Sequence, residues 1–184
     1  MNTKSELRRE IRLRKRVLTS SAVPVYAHRA FELVASTPAF REARVVLLYA
    51  ALPDEVPTLD LIARTEGKTL LLPRVVGDEL ELRLYTTPDN LVESEDFHIL
   101  EPTGPLFTDY ASIELAVIPG MAFDAEGHRL GRGKGFYDRF LGHPACRQLT
   151  KVGLCFDFQL LDNVPADAHD IAVDDVLVVS SVID

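Results

Sequence analysis

The run V-V-L-L-Y-A-A-L-P-D-E-V-P-T-L-D-L-I-A-R-T-E-G-K-T-L-L-L-P, Val45 to Pro73, decides the fold. It opens as a continuous apolar stretch of strand length, the pattern of a strand covered on both faces, as in a parallel sheet. L-P-D-E-V-P-T ends that stretch, after which Pro57 can open a helix through Leu61, Ile62 and Glu66 that Gly67 stops. K-T-L-L-L-P then reads as a second strand. Strand, loop, helix and strand in this order make one β-α-β unit.

Towards the N-terminus, Lys4 to Leu18 contains no Gly or Pro and sets Leu7, Ile11 and Leu18 on one face, which predicts a helix. On another face Lys4, Arg8 and Arg12 recur every four residues and stack three cations on successive turns; taken alone, such a stripe is more often a solvated face than an anion site. Ser20 or Ser21 can cap a second helix with Pro24 in its first turn, running to about Ser36. Towards the C-terminus, E-L-E-L-R-L-Y at Glu79 to Tyr85 alternates and predicts a strand with one exposed face, an antiparallel edge or hairpin arm. Residues 86–112, rich in Pro, Thr, Asp and Glu, are expected mostly as loop. L-A-V-I-P ending at Pro119, K-V-G-L-C-F and V-L-V-V-S add three buried strands. The fold class is therefore α/β, a three-layer, open, mostly parallel sheet with helices on both faces. The 184 residues suffice for one substantial core, so residues 1–184 are expected as a single domain.

Composition narrows the partners. The net charge is −8, yet residues 1–16 carry +5 and the remainder −13, so the basic N-terminus is a local exception on an acidic chain. Overall acidity disfavours a general nucleic-acid binder. No apolar run approaches a membrane span, and no apolar segment follows the N-terminal cations as a secretory signal requires, so a cytoplasmic protein is expected, a monomer or small homo-oligomer. Cys146 and Cys155 lack any metal-ligand spacing and read as reduced thiols, Cys155 buried in a strand; no His or Cys grouping suggests zinc.

In open sheets of this kind, ligands collect in loops at the carboxyl ends of strands. Two such loops stand out: L-P-D-E-V-P-T, and the segment that ends in R-L-G-R-G-K-G-F-Y-D-R, Arg129 to Arg139. The latter fits neither a dinucleotide fingerprint, which needs Gly at Phe136, nor a P-loop, which needs Ser or Thr at Gly135. The physics behind both still applies. Alternating glycines let backbone N–H groups point inward, Arg132 and Lys134 add positive charge, and Phe136, Phe140 and Leu141 predict a helix beginning just after Gly135. Asp138 then falls in a first helical turn, where it either complements the helix dipole or holds a Mg²⁺ bridging to phosphate. Glu55, between Pro53 and Pro57 at a strand end, is the second candidate ligand contact.

The chain resembles the 5-formyltetrahydrofolate cyclo-ligase family, also called methenyltetrahydrofolate synthetases. The resemblance is carried by I-P-G-M-A-F-D-A-E-G-H-R-L-G-R-G-K-G-F-Y-D-R-F-L, by K-S-E-L-R-R-E-I-R near the N-terminus, by D-E-V-P-T at 54–58, by I-L-E-P at 99–102 and by A-H-D-I-A-V-D-D-V. These occur in the family's order along essentially the whole chain. The resemblance implies a fold similar to ribose-phosphate isomerases and CoA transferases, and an ATP- and Mg²⁺-dependent closure of 5-formyltetrahydrofolate to 5,10-methenyltetrahydrofolate with release of ADP and phosphate. It implies that Lys4, Ser5, Glu6, Leu7 and Arg8, with Arg129, Leu130, Gly131, Arg132, Gly133, Lys134, Gly135, Phe136 and Tyr137, contact ATP. Glu55 is implied to hold the folate, with Arg132, Gly133, Lys134, Gly135 and Phe136 also facing it. Asp138 and Asp174 are implied as Mg²⁺ ligands, with Asp175 adjacent to the second. Phe136 stands where the family frequently has tyrosine.

The chemistry accounts for these residue types. A formyl oxygen is a poor leaving group until phosphorylated by the ATP γ-phosphoryl, after which the neighbouring folate nitrogen attacks the carbon and expels phosphate. Such a transfer depends on positioning and charge stabilisation, so Arg132 and Lys134 are the expected catalytic residues and no protein nucleophile is required. A sugar-phosphate isomerase or CoA transferase of the same architecture, or a nucleotide-binding module without catalysis, are the competing expectations.

Overall fold

The computed structural model describes residues 3–94 and 99–182. Helix α1, Lys4–Arg14, starts at a capping box: Thr3 accepts from the Glu6 N–H while the Glu6 carboxylate takes the Thr3 N–H at 2.7 Å. A 3₁₀ turn over Lys15–Val17 follows. Ser20 and Ser21 belong to a second 3₁₀ turn, Ser20–Ala22, and do not cap the next helix. That helix, α2, Val23–Ala35, has Ala22 at its N-cap and relies on Pro24, whose fixed φ suits the first turn and whose missing N–H costs nothing there. Helix α3, Pro38–Glu42, is capped by Thr37, which accepts from the Phe40 N–H.

The deciding run folds as a β-α-β unit. Strand β1, Val45–Leu47, helix α4, Leu59–Arg64, and strand β2, Thr69–Val76, follow in order, and β1 pairs parallel with β2. The helix starts two residues after Pro57 because the Thr58 hydroxyl is used to donate back to the Tyr49 carbonyl. Strand β3, Glu79–Tyr85, is the second arm of a hairpin with β2, turning at Gly77 with φ of 59°. Residues 86–112 correct the loop expectation in part. They contain β4, Leu91–Glu93, β5, Leu100–Pro102, and β6, Leu106–Phe107, each too short to show a period; the expectation over residues 95–98 lies outside the described residues. Then come β7, Leu115–Ile118, the small hairpin β8, Ala122–Phe123, and β9, Arg129–Leu130, helix α5, Phe136–Leu141, and strands β10, Thr150–Phe156, and β11, Asp175–Val179.

The main sheet has the order β11-β10-β7-β1-β2-β3-β6, with its first five strands mutually parallel and β3 antiparallel to its neighbours β2 and β6. β6 lies outside β3, so β3 is a hairpin arm and not the edge. Alternate strand residues feed opposite faces. Val46, Leu70, Leu72, Val117 and Leu154 pack beneath α2, α3 and α4. Leu47, Leu71, Ala116, Ile118 and Cys155 pack on the other face with Phe123 and with Phe140 and Leu141 of α5. Both cysteines are free and buried, and burial pushes the Cys155 thiol up to about 12.

A third, smaller cluster positions the site. Leu7 and Ile11, one helical turn apart, bury against Met121, Ala122 and Leu130 of the β8–β9 hairpin and against Val164. The N-terminal helix is thereby fastened to the segment that leads into the glycine loop.

Candidate active site

Loops at the carboxyl ends of β1 and of the hairpin after β7 meet, as the topology requires of an open α/β sheet. The first is shaped by Tyr49 and Glu55. Tyr49 is buried and donates its hydroxyl to the Val56 carbonyl at 2.9 Å, and one Glu55 oxygen accepts the Leu52 N–H at 3.0 Å. The other Glu55 oxygen, Oε1, faces the glycine loop, where Arg132 donates to it from Nε at 3.2 Å and from Nη2 at 3.1 Å. The same Nη2 also pairs with Asp54 Oδ1, and Asp54 Oδ2 lies 3.2 Å from Lys15 Nζ. Lys15, Asp54, Arg132 and Glu55 therefore form one chain of alternating charge.

Burial alone would lower the Arg132 pKa, and the two carboxylates outweigh it and carry it above the ordinary value. Burial likewise works to raise the Asp54 carboxyl, but Arg132 and Lys15 hold it below the usual carboxylate range. The Tyr49 and Tyr137 phenols are pushed up by burial and then by the Glu55 charge, so both remain neutral hydroxyls at neutral pH.

The glycine loop lies beside α1. Arg8 donates from Nε to the Gly131 carbonyl at 2.8 Å, and a Cβ on Gly133 would stand 3.7 Å from the Arg8 guanidinium carbon. Gly133 and Gly135 have φ of 107° and 70°, which glycine adopts without strain. Gly135 is the N-cap residue of the six-residue α5. Lys134 is exposed, and its ammonium makes no hydrogen bond or ion pair with the described residues. Arg139 donates to the Lys134 and Asp78 carbonyls and lies over the Phe136 ring, which pins the loop's far end.

Other sequence-identified residues have structural duties as well. Lys4 pairs with Asp167 at 2.6 Å and with Asp170. Ser5 is exposed, Glu6 is held in the capping box, and Leu7 and Leu130 are in the small core. Arg129 is only 7 % exposed, pairs with Asp138 at 3.0 Å, lies over Tyr137 with 5.5 Å to the ring centroid, and keeps a buried Nε without a partner among the described residues.

The carboxylates expected for Mg²⁺ are placed separately. Asp138 Oδ1 forms an ion pair with Arg129 and accepts the Ile171 N–H. Asp174 Oδ2 accepts the Lys151 N–H at 2.7 Å and pairs with its ammonium at 3.1 Å, at the amino end of β10. No partner is common to the two aspartates. Each keeps one oxygen without a partner among the described residues, and Mg²⁺ commonly takes only one or two carboxylates beside substrate phosphates, so the donor types fit.

Two features escaped the sequence reading. Asp124 is fully buried and accepts N–H groups from Glu126, His128 and Val164 at 2.8–3.1 Å, as well as lying 2.9 Å from His128 Nδ1. It holds the hairpin turn, and the D-A-E-G-H spacing was the available signal. Gly120 and Gly153 leave a slot for the Phe123 ring, since a Cβ at either would come within 2.7 or 2.4 Å of it. No local pattern announces a long-range slot of that kind.

The fold and site together define a small α/β protein with cations and acids gathered about a glycine loop at the carboxyl edge of a mostly parallel sheet, suited to a polyanionic ligand beside one with N–H donors. The 5-formyltetrahydrofolate cyclo-ligase family model matches residues 1–179, and the chain belongs to that family. The chain is 30% identical over 167 residues to the probable 5-formyltetrahydrofolate cyclo-ligase of Schizosaccharomyces pombe, covering 82% of each chain. It is also 30% identical to the 5-formyltetrahydrofolate cyclo-ligase of Haemophilus influenzae, covering 97% of this chain and 100% of that one. The solved structure of Aquifex aeolicus 5,10-methenyltetrahydrofolate synthetase superposes with a TM-score of 0.80 at 34% identity, over 96% of this chain and 89% of the other. A Mycoplasma pneumoniae 5,10-methenyltetrahydrofolate synthetase, 23% identical with a TM-score of 0.74 over 95% and 98% of the two chains, shares the fold. Among the described residues no helix is long and apolar enough to cross a membrane.

Proposed function

We propose that the protein closes 5-formyltetrahydrofolate to 5,10-methenyltetrahydrofolate at the expense of ATP, releasing ADP and phosphate. The observation that carries this reading is the bridge from Arg132 on the glycine loop to Glu55 on the β1 loop, with Arg8 of α1 bonded to the same loop. Three segments far apart in sequence thus supply cations for a triphosphate and an acid for a pterin in one place. Arg8, Arg132 and Lys134 bind and orient the phosphates. Lys134, whose ammonium has no competing partner among the described residues, is the cation best able to follow charge onto the transferring group. Glu55 accepts the N–H donors of the pterin, and Asp138 and Asp174, each through its remaining oxygen, are the residues that would hold Mg²⁺, whose charge would offset that of the phosphates.

In the reaction, a new bond joins the formyl oxygen to the γ-phosphorus as the bond to ADP breaks. The neighbouring nitrogen then attacks the formyl carbon and releases its proton to solvent, and the carbon–oxygen bond breaks with phosphate leaving. Neither step needs a covalent protein intermediate, in keeping with a site built from cations and backbone N–H groups. The test is to mix the purified protein with ATP, Mg²⁺ and 5-formyltetrahydrofolate and follow the near-ultraviolet absorbance of the methenyl product. Growth of that absorbance with folate-dependent ADP release supports the reading. Nucleotide binding without turnover by folded protein would overturn it in favour of a binding module.

A further inference from the structure

Lys15 falls outside every motif of the sequence, yet its side chain is only 4% exposed. Removing an ammonium from water is costly unless a carboxylate compensates. Its carboxylate partner is Asp54, through Oδ2, and Asp54 gives its other oxygen to Arg132. One carboxylate is therefore shared between a buried cation fixed just beyond α1 and a cation on a loop whose neighbouring glycines lend it little stiffness.

The sharing has a definite electrostatic consequence. With Lys15 present, the group of Lys15, Asp54, Arg132 and Glu55 is neutral, and the Asp54 charge is divided between two cations. Without Lys15 the group carries −1, and Asp54 belongs to Arg132 alone. Both changes oppose a polyanion. The guanidinium is held harder by its acids, and the site's potential turns against an incoming phosphate.

We propose that Lys15 is a positioning residue for the nucleotide, keeping Arg132 available to the phosphates by holding and neutralising Asp54. The proposal rests on the reading of this site as an ATP site. Lys15 acts through Asp54, so its influence falls on the nucleotide and leaves the folate, bound at Glu55, largely unaffected.

The experiment is a double-mutant cycle with KM for ATP and for 5-formyltetrahydrofolate determined separately, joined by equilibrium dialysis of ATP. Lys15→Met is expected to raise the ATP KM and dissociation constant about tenfold, with the folate KM unchanged. Lys15→Arg is expected to retain wild-type behaviour. Lys15→Met combined with Asp54→Asn removes both charges, restores neutrality and is expected to recover most of the lost affinity. The double variant leaves no unpaired buried charge, so it decides the matter even if Lys15→Met fails to fold. A single variant with unchanged ATP binding, a double variant as impaired as the single, or equal losses for ATP and folate would overturn the proposal. Wild-type protein that neither binds ATP nor forms product would instead overturn the functional reading beneath it.

Discussion

Lys134 and Arg132 stand two residues apart in the glycine loop, and their surroundings separate them. Arg132 is held by two acids, whereas the Lys134 ammonium has no partner among the described residues. Lys134→Ala should therefore leave the melting temperature unchanged while slowing turnover on the order of 10²-fold, the usual loss when one charge-stabilising donor is removed. Steady-state assays beside thermal melts check this; near wild-type turnover would make the lysine a bystander. Asp124 is the opposite case, a structural residue in the middle of the family motif. Burial works to raise its pKa, but the N–H groups of Val164 and His128 outweigh burial and hold the carboxyl below its ordinary value. Such a group stabilises the fold fully above the unfolded carboxyl pKa of about 3.9 and loses that contribution as pH falls through the folded value. Asp124→Asn should flatten the acid limb of melting temperature against pH below about 4. Asp124→Ala should destabilise across the range by about 1–3 kcal/mol, because the buried Val164 N–H loses its acceptor. A parallel acid limb in the Asn variant would contradict the assignment.

Helix α1 depends on packing for its function. Leu7 and Ile11 are its only buried side chains, and they set the helix on the hairpin that precedes the glycine loop. Ile11→Ala should cost about 2–5 kcal/mol and, by loosening the hold of Arg8 on Gly131, raise the ATP KM more than the folate KM. Denaturant melts and separate KM values check both parts. The slot for Phe123 gives a purely structural contrast: Gly153→Ala should cost about 1–3 kcal/mol by overpacking, with both KM values unchanged in the fraction that folds. The α1 helix was legible because Leu7 and Ile11 repeat at helical spacing, and β1, β2, β7, β10 and β11 because their apolar runs have strand length. The Ser20 or Ser21 cap was misread, since the choice between a capped α-helix and a 3₁₀ lead-in is made by the packing of Ala22. Strands of two or three residues such as β6 exist only because β3 offers an edge to pair with, which no local window contains.

At the scale of the whole molecule, sheet order and the small core beneath α1 bring Arg8, residues 54–55 and the glycine loop together. The loops at the strand ends were legible in the sequence, and the family resemblance implied ATP and a folate as the ligands to expect there. The charge chain of Lys15, Asp54, Arg132 and Glu55 was not legible, because its contacts join residues 39 to 78 positions apart and nothing local marks Lys15 among its six cationic neighbours. The central step proposed for this arrangement is transfer of a phosphoryl group to the formyl oxygen. The direct measurement uses 5-formyltetrahydrofolate labelled with heavy oxygen in the formyl group, turned over with unlabelled ATP, with the released phosphate weighed by mass spectrometry. One heavy oxygen is expected in each phosphate released, in step with methenyl product; product formed while the phosphate stays unlabelled would contradict phosphoryl transfer to the formyl oxygen.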